Sequence, residues 1–280
     1  MNAYTIVDVF TDTPLEGNPV AVFDDGSGLE VPEMQRAARE LNLSETVFLL
    51  PPSADADARL RIFTPFAELP FAGHPVLGTA FVIGGRMAEP VVRLETGAGV
   101  VPVRLERSRE AVVYGEMEQP IPSVEAFARE AELLSALGVG ASSLPVEAYR
   151  NGPLHVYVAL ADEAAVAAVK PDLSALAALD AGFGVSCFAA AGTQVKTRMF
   201  APRLGVPEDP ATGSAAGPLA LHLARHGRIP FGTEIEIRQG AEIGRPSLLR
   251  ARVEGTAERV ERVLVGGSAV IVAHGKYRLR

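Results

Sequence analysis

The 280-residue sequence has one cysteine, Cys187. It can close no disulfide within the chain, and no Cys/His cluster has the spacing of a structural zinc site. This points to a reducing compartment and excludes chemistry that needs a pair of thiols. Basic charge is also scarce, with 26 Lys and Arg against 34 Asp and Glu, scattered singly to a formal net charge of −8. No basic face exists to displace counterions from a phosphate backbone, so nucleic acid is not an expected partner. Long apolar runs are missing too. Residues 69–85 and 210–224 are nearly free of charge, but both contain Gly and Pro and fall short of the roughly 18 to 20 apolar residues of a membrane helix. The first dozen residues lack a basic n-region, and Asp8 and Asp12 interrupt the opening apolar run, so a cytoplasmic protein is expected. No G-x-G-x-x-G follows a strand and no G-x-x-x-x-G-K-[ST] occurs, so no dinucleotide, nucleotide or other cofactor is implied.

What is present is ordinary globular material, 48% apolar and 21% charged, enough for one or two domains. Short β-branched runs dominate, at residues 4–10, 19–23, 46–50, 58–64, 91–94, 100–105, 154–160, 194–200, 234–238 and 249–253. Helices are expected at 32–41, with Pro32 at its first position, and at 124–137, between Ser123 and Gly138. The paired prolines Pro120 and Pro122 favour an extended crossing segment, and a domain boundary is placed there.

The two parts echo each other. Arg61-Ile62-Phe63-Thr64-Pro65, followed by Leu69-Pro70, matches Arg198-Met199-Phe200-Ala201-Pro202, followed by Val206-Pro207, at a constant offset of 137 residues. A charge-free stretch follows each copy, and its only ionisable side chain is one histidine, His74 or His222. An all-round apolar helix is buried on every side, so each part is expected to wrap a sheet around one central helix.

Both buried stretches begin with residues that suit a site. Phe71-Ala72-Gly73-His74-Pro75 opens the first and Glu208-Asp209-Pro210-Ala211-Thr212-Gly213-Ser214 the second. A helix N-terminus offers unpaired N–H groups and a positive dipole end, and Gly73 and Gly213 let a small carboxylate approach the backbone. Capping is the alternative for Asp209, which precedes Pro210 as an N-cap would. Glu45 is the acid/base candidate: in an extended segment it shares a face with Leu43, Val47 and Leu49, where desolvation raises a carboxyl pKa. Its alternative is an exposed glutamate ahead of the strand. His74 reads equally as a core histidine satisfied by a carbonyl or as the edge of a site. His222 and His226 stand four apart, as metal ligands can, but no third ligand is evident, so no metal is expected. Cys187 reads as a small buried hydrophobe.

The run from Asp8 to Phe23, then Leu43-Ser44-Glu45-Thr46, Phe71-Ala72-Gly73-His74-Pro75 with Gly78, and Glu208 through Ala215 resemble, in order, the phenazine-biosynthesis PhzF-like family. The resemblance implies an α+β, diaminopimelate-epimerase-like fold of two pseudo-symmetric domains, each a curved, mainly antiparallel sheet or barrel around a central helix. The expected domains are 1–117 and 118–267, with a C-terminal strand at about 268–280 returning to the first. It also implies a cofactor-independent isomerase that moves a proton within trans-2,3-dihydro-3-hydroxyanthranilate or a similar small cyclic or amino-acid-like carboxylate, in the cleft between domains of a homodimer. Related epimerases use two cysteines; this chain has Gly73 and the turn from Asp209 to Ser214 in those neighbourhoods. Glu45 matches the family's proton-shuttling glutamate. His74, Asp209 and Ser214 would line the pocket, the amides of Gly73 and Gly213 would meet the carboxylate, and Asn18 is a looser candidate. A member of the fold that only binds small molecules or other proteins is the alternative.

Overall fold

A computed structural model describes residues 1–179 and 182–279. The first half runs β1 (Asn2–Val9), β2 (Asn18–Phe23), α1 (Val31–Leu41), β3 (Glu45–Leu50), β4 (Ala58–Phe63), β5 (Glu68–Leu69), α2 (Gly73–Gly84), β6 (Val91–Thr96), β7 (Gly99–Ser108) and β8 (Ala111–Gln119). The second runs β9 (Ser123–Ala126), α3 (Glu130–Leu137), β10 (Glu147–Arg150), β11 (Leu154–Ala159), α4 (Glu163–Ala168), α5 (Leu173–Ala178), β12 (Phe183–Ala191), β13 (Gln194–Ala201), β14 (Val206–Asp209), α6 (Gly213–Arg225), β15 (Ile235–Gln239), β16 (Ser247–Gly255) and β17 (Val260–Gly267). A last strand, β18 (Ala269–Tyr277), closes the chain.

The two halves pair their strands by one plan. β1 is antiparallel to β2, β2 parallel to β3, β3 antiparallel to β4, and β4 antiparallel to β5 and parallel to β6; β6, β7 and β8 continue antiparallel. The strands β10 to β17 repeat every one of those relations in order, with α6 where the first half has α2. Each half is completed by the strand that follows the other: β9 comes after β8 but pairs with β10, and β18 comes after β17 but pairs with β1. Antiparallel pairing of 115–119 in β8 with 263–267 in β17 joins the halves.

Each central helix is buried by composition. Every α2 residue except Ile83 is buried, against strands β1, β2, β3, β6, β7 and β8, and α6 is buried from Gly213 to Ala224. A helix with no polar side to show water needs such a wrap. α1 behaves differently: Pro32 sits at its start, Asn42 ends it in the left-handed region, and it buries Met34, Ala37 and Ala38 on Phe23, Phe48 and Phe63. Those rings contribute roughly 1.5 to 3 kcal/mol each, more than an eleven-residue helix can supply from its own hydrogen bonds.

The helix expected over 124–137 is shorter than its periodicity suggested. Val124 instead lies opposite Tyr149 in the β9–β10 pairing, and only Glu130–Leu137 coils before Gly138 turns left-handed. Completion of the second sheet overrides the local period. Phe183–Ala191 gave no strand signal because it is buried on both faces along most of its length, which removes alternation.

Candidate active site

Elements from both halves end at one place. Asn18 opens β2 and Glu45 opens β3, held in register by parallel pairing of Val20 with Glu45. His74 is the second residue of α2 and Ser214 the second of α6, while Asp209 closes β14. The helix N-termini abut. A Cβ on Gly73 would collide with the backbone of Gly213 and Ser214, and one on Gly213 would meet the Phe10 ring at 2.9 Å and the His74 nitrogen at 3.0 Å. The glycines let the two helices approach each other, a more immediate need than the ligand approach expected from sequence.

Asp209 is not a cap. Thr212 is the residue that precedes α6, and it makes no side-chain cap bond. Its hydroxyl donates instead to Asp209 Oδ2 at 2.6 Å, while Asn18 Nδ2 and Ser44 Oγ donate to Oδ1 at 2.8 and 3.2 Å. Gln239 fastens the turn by donating to the Asp209 carbonyl at 2.7 Å and to Thr212 Oγ1 at 2.9 Å. Burial pushes the Asp209 carboxyl up to about 6, although the donors from Thr212, Asn18 and Ser44 pull it down.

Glu45 and His74 face one another, with Oε2 3.3 Å from Nε2. Neither atom has a hydrogen-bond partner, although the His74 ring also bonds the Pro19 backbone. Burial lowers His74 to about 3, against a weaker pull from the Pro19 backbone. Burial, and then the charge of Asp209, hold Glu45 well above the ordinary carboxyl range. The contact is therefore a neutral imidazole against a carboxyl that resists ionisation, not an ion pair. Asn18 Nδ2 lies 3.2 Å from His74 Nδ1 and also donates to the Ala211 carbonyl at 2.9 Å, so one buried amide ties the start of α2 to the approach to α6.

Ser214 has its own partner. His155 Nε2 lies 3.1 Å from Ser214 Oγ, and burial lowers this histidine to about 3 as well. Its Nδ1 is buried without a partner. An orphaned N–H is rarer than an orphaned acceptor, which assigns the ring proton to Nε2. Ser214 then accepts from His155 and keeps its own hydroxyl hydrogen for a ligand. Glu45, His155, Asp209, Thr212 and Ser214 line one cavity of about 40 Å³, walled on its apolar side by Leu69, Met199 and Val206. That is room for a few waters. A larger, open depression of about 840 Å³ lies by Asp12, Glu116 and Arg250, but none of the seven residues expected from sequence lines it.

The structure adds a third partner to the histidine pair: Glu147, whose ligand atom and those of His222 and His226 lie within 4.8 Å of one another. That carboxylate is already engaged. Tyr149 donates to Oε2 at 2.7 Å, His226 Nε2 is 3.0 Å away, and Arg225 approaches Oε1 at 3.6 Å. The cluster ties β10 to the far end of α6, two turns from Ser214. Cys187 is fully buried, and burial pushes its thiol up to about 12.

Sequence reasoning brought Glu45, His74, Asp209, Ser214, Gly73, Gly213 and Asn18 together but passed over Ser44, Thr212, Gln239 and His155. Gln239 had no local signal, since its role depends on the pairing of β15.

The family model described as phenazine biosynthesis-like protein matches residues 7–275. A curated relative, trans-2,3-dihydro-3-hydroxyanthranilate isomerase of Pseudomonas aeruginosa, is 54% identical over 276 residues, which cover 99% of each chain. A PhzF-family phenazine biosynthesis protein of Bacillus anthracis superposes with a TM-score of 0.85 at 26% identity, covering 98% of both chains. A probable proline racemase of Agrobacterium radiobacter shares the fold, with a TM-score of 0.70 at 15% identity over 100% of this chain and 94% of the other.

Proposed function

We propose, for a chain that belongs to the phenazine biosynthesis-like protein family and is a PhzF-like isomerase, that one carboxyl, Glu45, moves a proton within trans-2,3-dihydro-3-hydroxyanthranilate or a close cyclic amino-carboxylate. The observation that carries this reading is the unpartnered Glu45 Oε2, 3.3 Å from an equally unpartnered His74 Nε2, with Glu45 bordering a cavity between the halves. A carboxyl with a raised pKa suits both directions of transfer. Ionised, it takes hydrogen from a saturated ring carbon, and the electron pair of that C–H bond moves into the neighbouring diene. Now an acid, it returns the proton to another ring carbon. One C–H bond breaks and one forms, with no net oxidation.

The other residues hold the ring. His74 and Asp209 orient its polar substituents, Asn18 braces both, and Ser214 with the amides of Gly73 and Gly213 binds the carboxylate at two helix N-termini. A substituted six-membered ring exceeds a cavity of about 40 Å³, so binding requires the halves to part along the cleft. A purely binding role leaves the buried, unpaired Glu45–His74 contact without a use.

The same reading divides the chain into 1–117 and 118–267, with 268–280 returning to the first part; pairing of β18 with β1 supports it. It gives the protein a small-molecule carboxylate as its partner, neither nucleic acid nor membrane, and a homodimeric, cytoplasmic existence. Among the described residues no helix is long and apolar enough to cross a membrane. The dimer rests on the family resemblance, and a monomer mass by light scattering at micromolar concentration counts against it. Incubation with trans-2,3-dihydro-3-hydroxyanthranilate in deuterium oxide tests the activity. Consumption with deuterium incorporated at a ring carbon is expected; neither conversion nor exchange, with this compound and related amino-carboxylates, rejects the reading.

A further inference from the structure

Pro218 lies inside α6, one turn after Ser214. Its nitrogen carries no hydrogen, so it cannot make the helical bond to the Ser214 carbonyl four residues earlier. A buried carbonyl left without its partner weakens the fold. The missing donor comes from another part of the chain: Asn151 Nδ2 donates to the Ser214 carbonyl at 2.9 Å. Asn151 is buried, in the turn between β10 and β11. Its amide also faces Gln119 Oε1 at 3.4 Å, and since both neighbours are acceptors, the amide can point only one way.

This bond belongs to a row. Gln119 Nε2 donates to the Gly213 carbonyl at 2.8 Å and Tyr157 OH to the Ala215 carbonyl at 2.6 Å, so three consecutive carbonyls of the first turn of α6 each receive a side-chain donor. Each carbonyl shares a rigid peptide plane with the next N–H. Gly213 C=O is coplanar with Ser214 N–H, and Ser214 C=O with Ala215 N–H. A donor on the oxygen fixes the plane and polarises its N–H.

We infer that Asn151 is a positioning residue for carboxylate binding. It replaces the helical partner that Pro218 removes, and so sets the peptide plane that follows the Ser214 Cα, as Gln119 sets the one before it, and with it the direction of the Ser214 hydroxyl. The inference rests on the reading of Ser214 as a carboxylate ligand. Pro218 thereby makes the first turn of α6 depend on the sheet beneath it, through a side chain that also bonds Gln119 on β8 of the other half.

The test is a double-mutant cycle with Asn151→Ala and Pro218→Ala. Asn151→Ala should raise KM about tenfold with kcat little changed, and Asn151→Ala/Pro218→Ala should recover to within about twofold of wild type, because replacing the proline restores a backbone N–H for the Ser214 carbonyl. Pro218→Ala alone should resemble wild type. An unchanged KM in Asn151→Ala, or a double variant as impaired as the single, overturns the inference. If Asn151→Ala does not fold, a folded double variant with near-normal KM supports it, and failure of both variants to fold overturns it. Calorimetric binding of 3-hydroxyanthranilate, run through the same cycle, reads the carboxylate contact without turnover. Loss and rescue there, in a protein inert toward the dihydro compound, would sink the proposed reaction and keep the role of Asn151.

Discussion

Arg61 and Arg198 occupy matching places in the two halves and lie over Phe63 and Phe200, 5.4 and 5.0 Å from the ring centroids. Each also clasps a glutamate with two bonds, Arg61 to Glu68 at 2.7 and 2.6 Å and Arg198 to Glu208 at 2.8 and 2.8 Å. The surroundings differ. The first pair is 22% and 38% exposed, the second 10% and 13%, and Arg198 also donates to the Val169 and Ala167 carbonyls at 2.7 and 3.1 Å. Duplication kept the bracing device while burial changed what it is worth. The chemistry diverged further. In the matching strand ladders, Glu45 corresponds to Gly184 and Asp209 to Leu69, so neither half carries the other's carboxylate. A symmetric exchange between two equivalent groups has no counterpart here, and the reaction proposed above therefore rests on the single carboxyl of Glu45.

The largest stability difference should separate the two arginines. Arg198→Met leaves Glu208 nearly buried without its partner and two carbonyls without a donor, and should cost about 3 kcal/mol. Arg61→Met should cost less than about 1 kcal/mol. Denaturant unfolding of both variants checks this, and equal losses would show that burial of the second pair has no energetic consequence.

Asp209→Asn probes the asymmetry of charge. Its carboxylate is the second cause of the raised Glu45 pKa, after burial. Removing that charge lowers the Glu45 value, so the acid limb of the pH–rate profile should move to lower pH, with a loss in rate of about tenfold from poorer orientation. A limb that moves to higher pH contradicts the coupling.

A smaller effect follows from linkage. A carboxyl harder to ionise in the folded than in the unfolded state makes the native state hold its proton longer. Stability is then lost as pH rises from the ordinary carboxyl range through the raised value. Glu45→Gln removes that penalty, so its melting temperature should gain on wild type at pH 8 and not at pH 4. A gain at pH 4 alone reverses the sign.

These contrasts also mark how far the sequence can be read. The repeat was visible because Arg, Phe and Pro recur at fixed spacing, and α2 and α6 because a charge-free stretch with one histidine can only be buried. Glu45 was singled out because it stands on an apolar strand. His155, Gln239 and Asn151 were not, because each acts through a partner brought close by sheet pairing, and no local pattern marks a polar residue whose partner lies 59, 30 or 63 positions away. The error over 124–137 has the same origin: Val124 takes its conformation from Tyr149, across the sheet.

The central claim, that Glu45 alone carries the proton, is tested most directly by single-turnover deuterium incorporation into trans-2,3-dihydro-3-hydroxyanthranilate, with substrate affinity measured separately for each variant. Glu45→Gln keeps the size and most of the hydrogen bonding of the side chain, and should bind substrate yet lose about 10²- to 10⁴-fold in proton transfer. Asp209→Asn should lose far less. Near-normal exchange in Glu45→Gln together with its loss in Asp209→Asn would contradict the account and pass the role of base to Asp209.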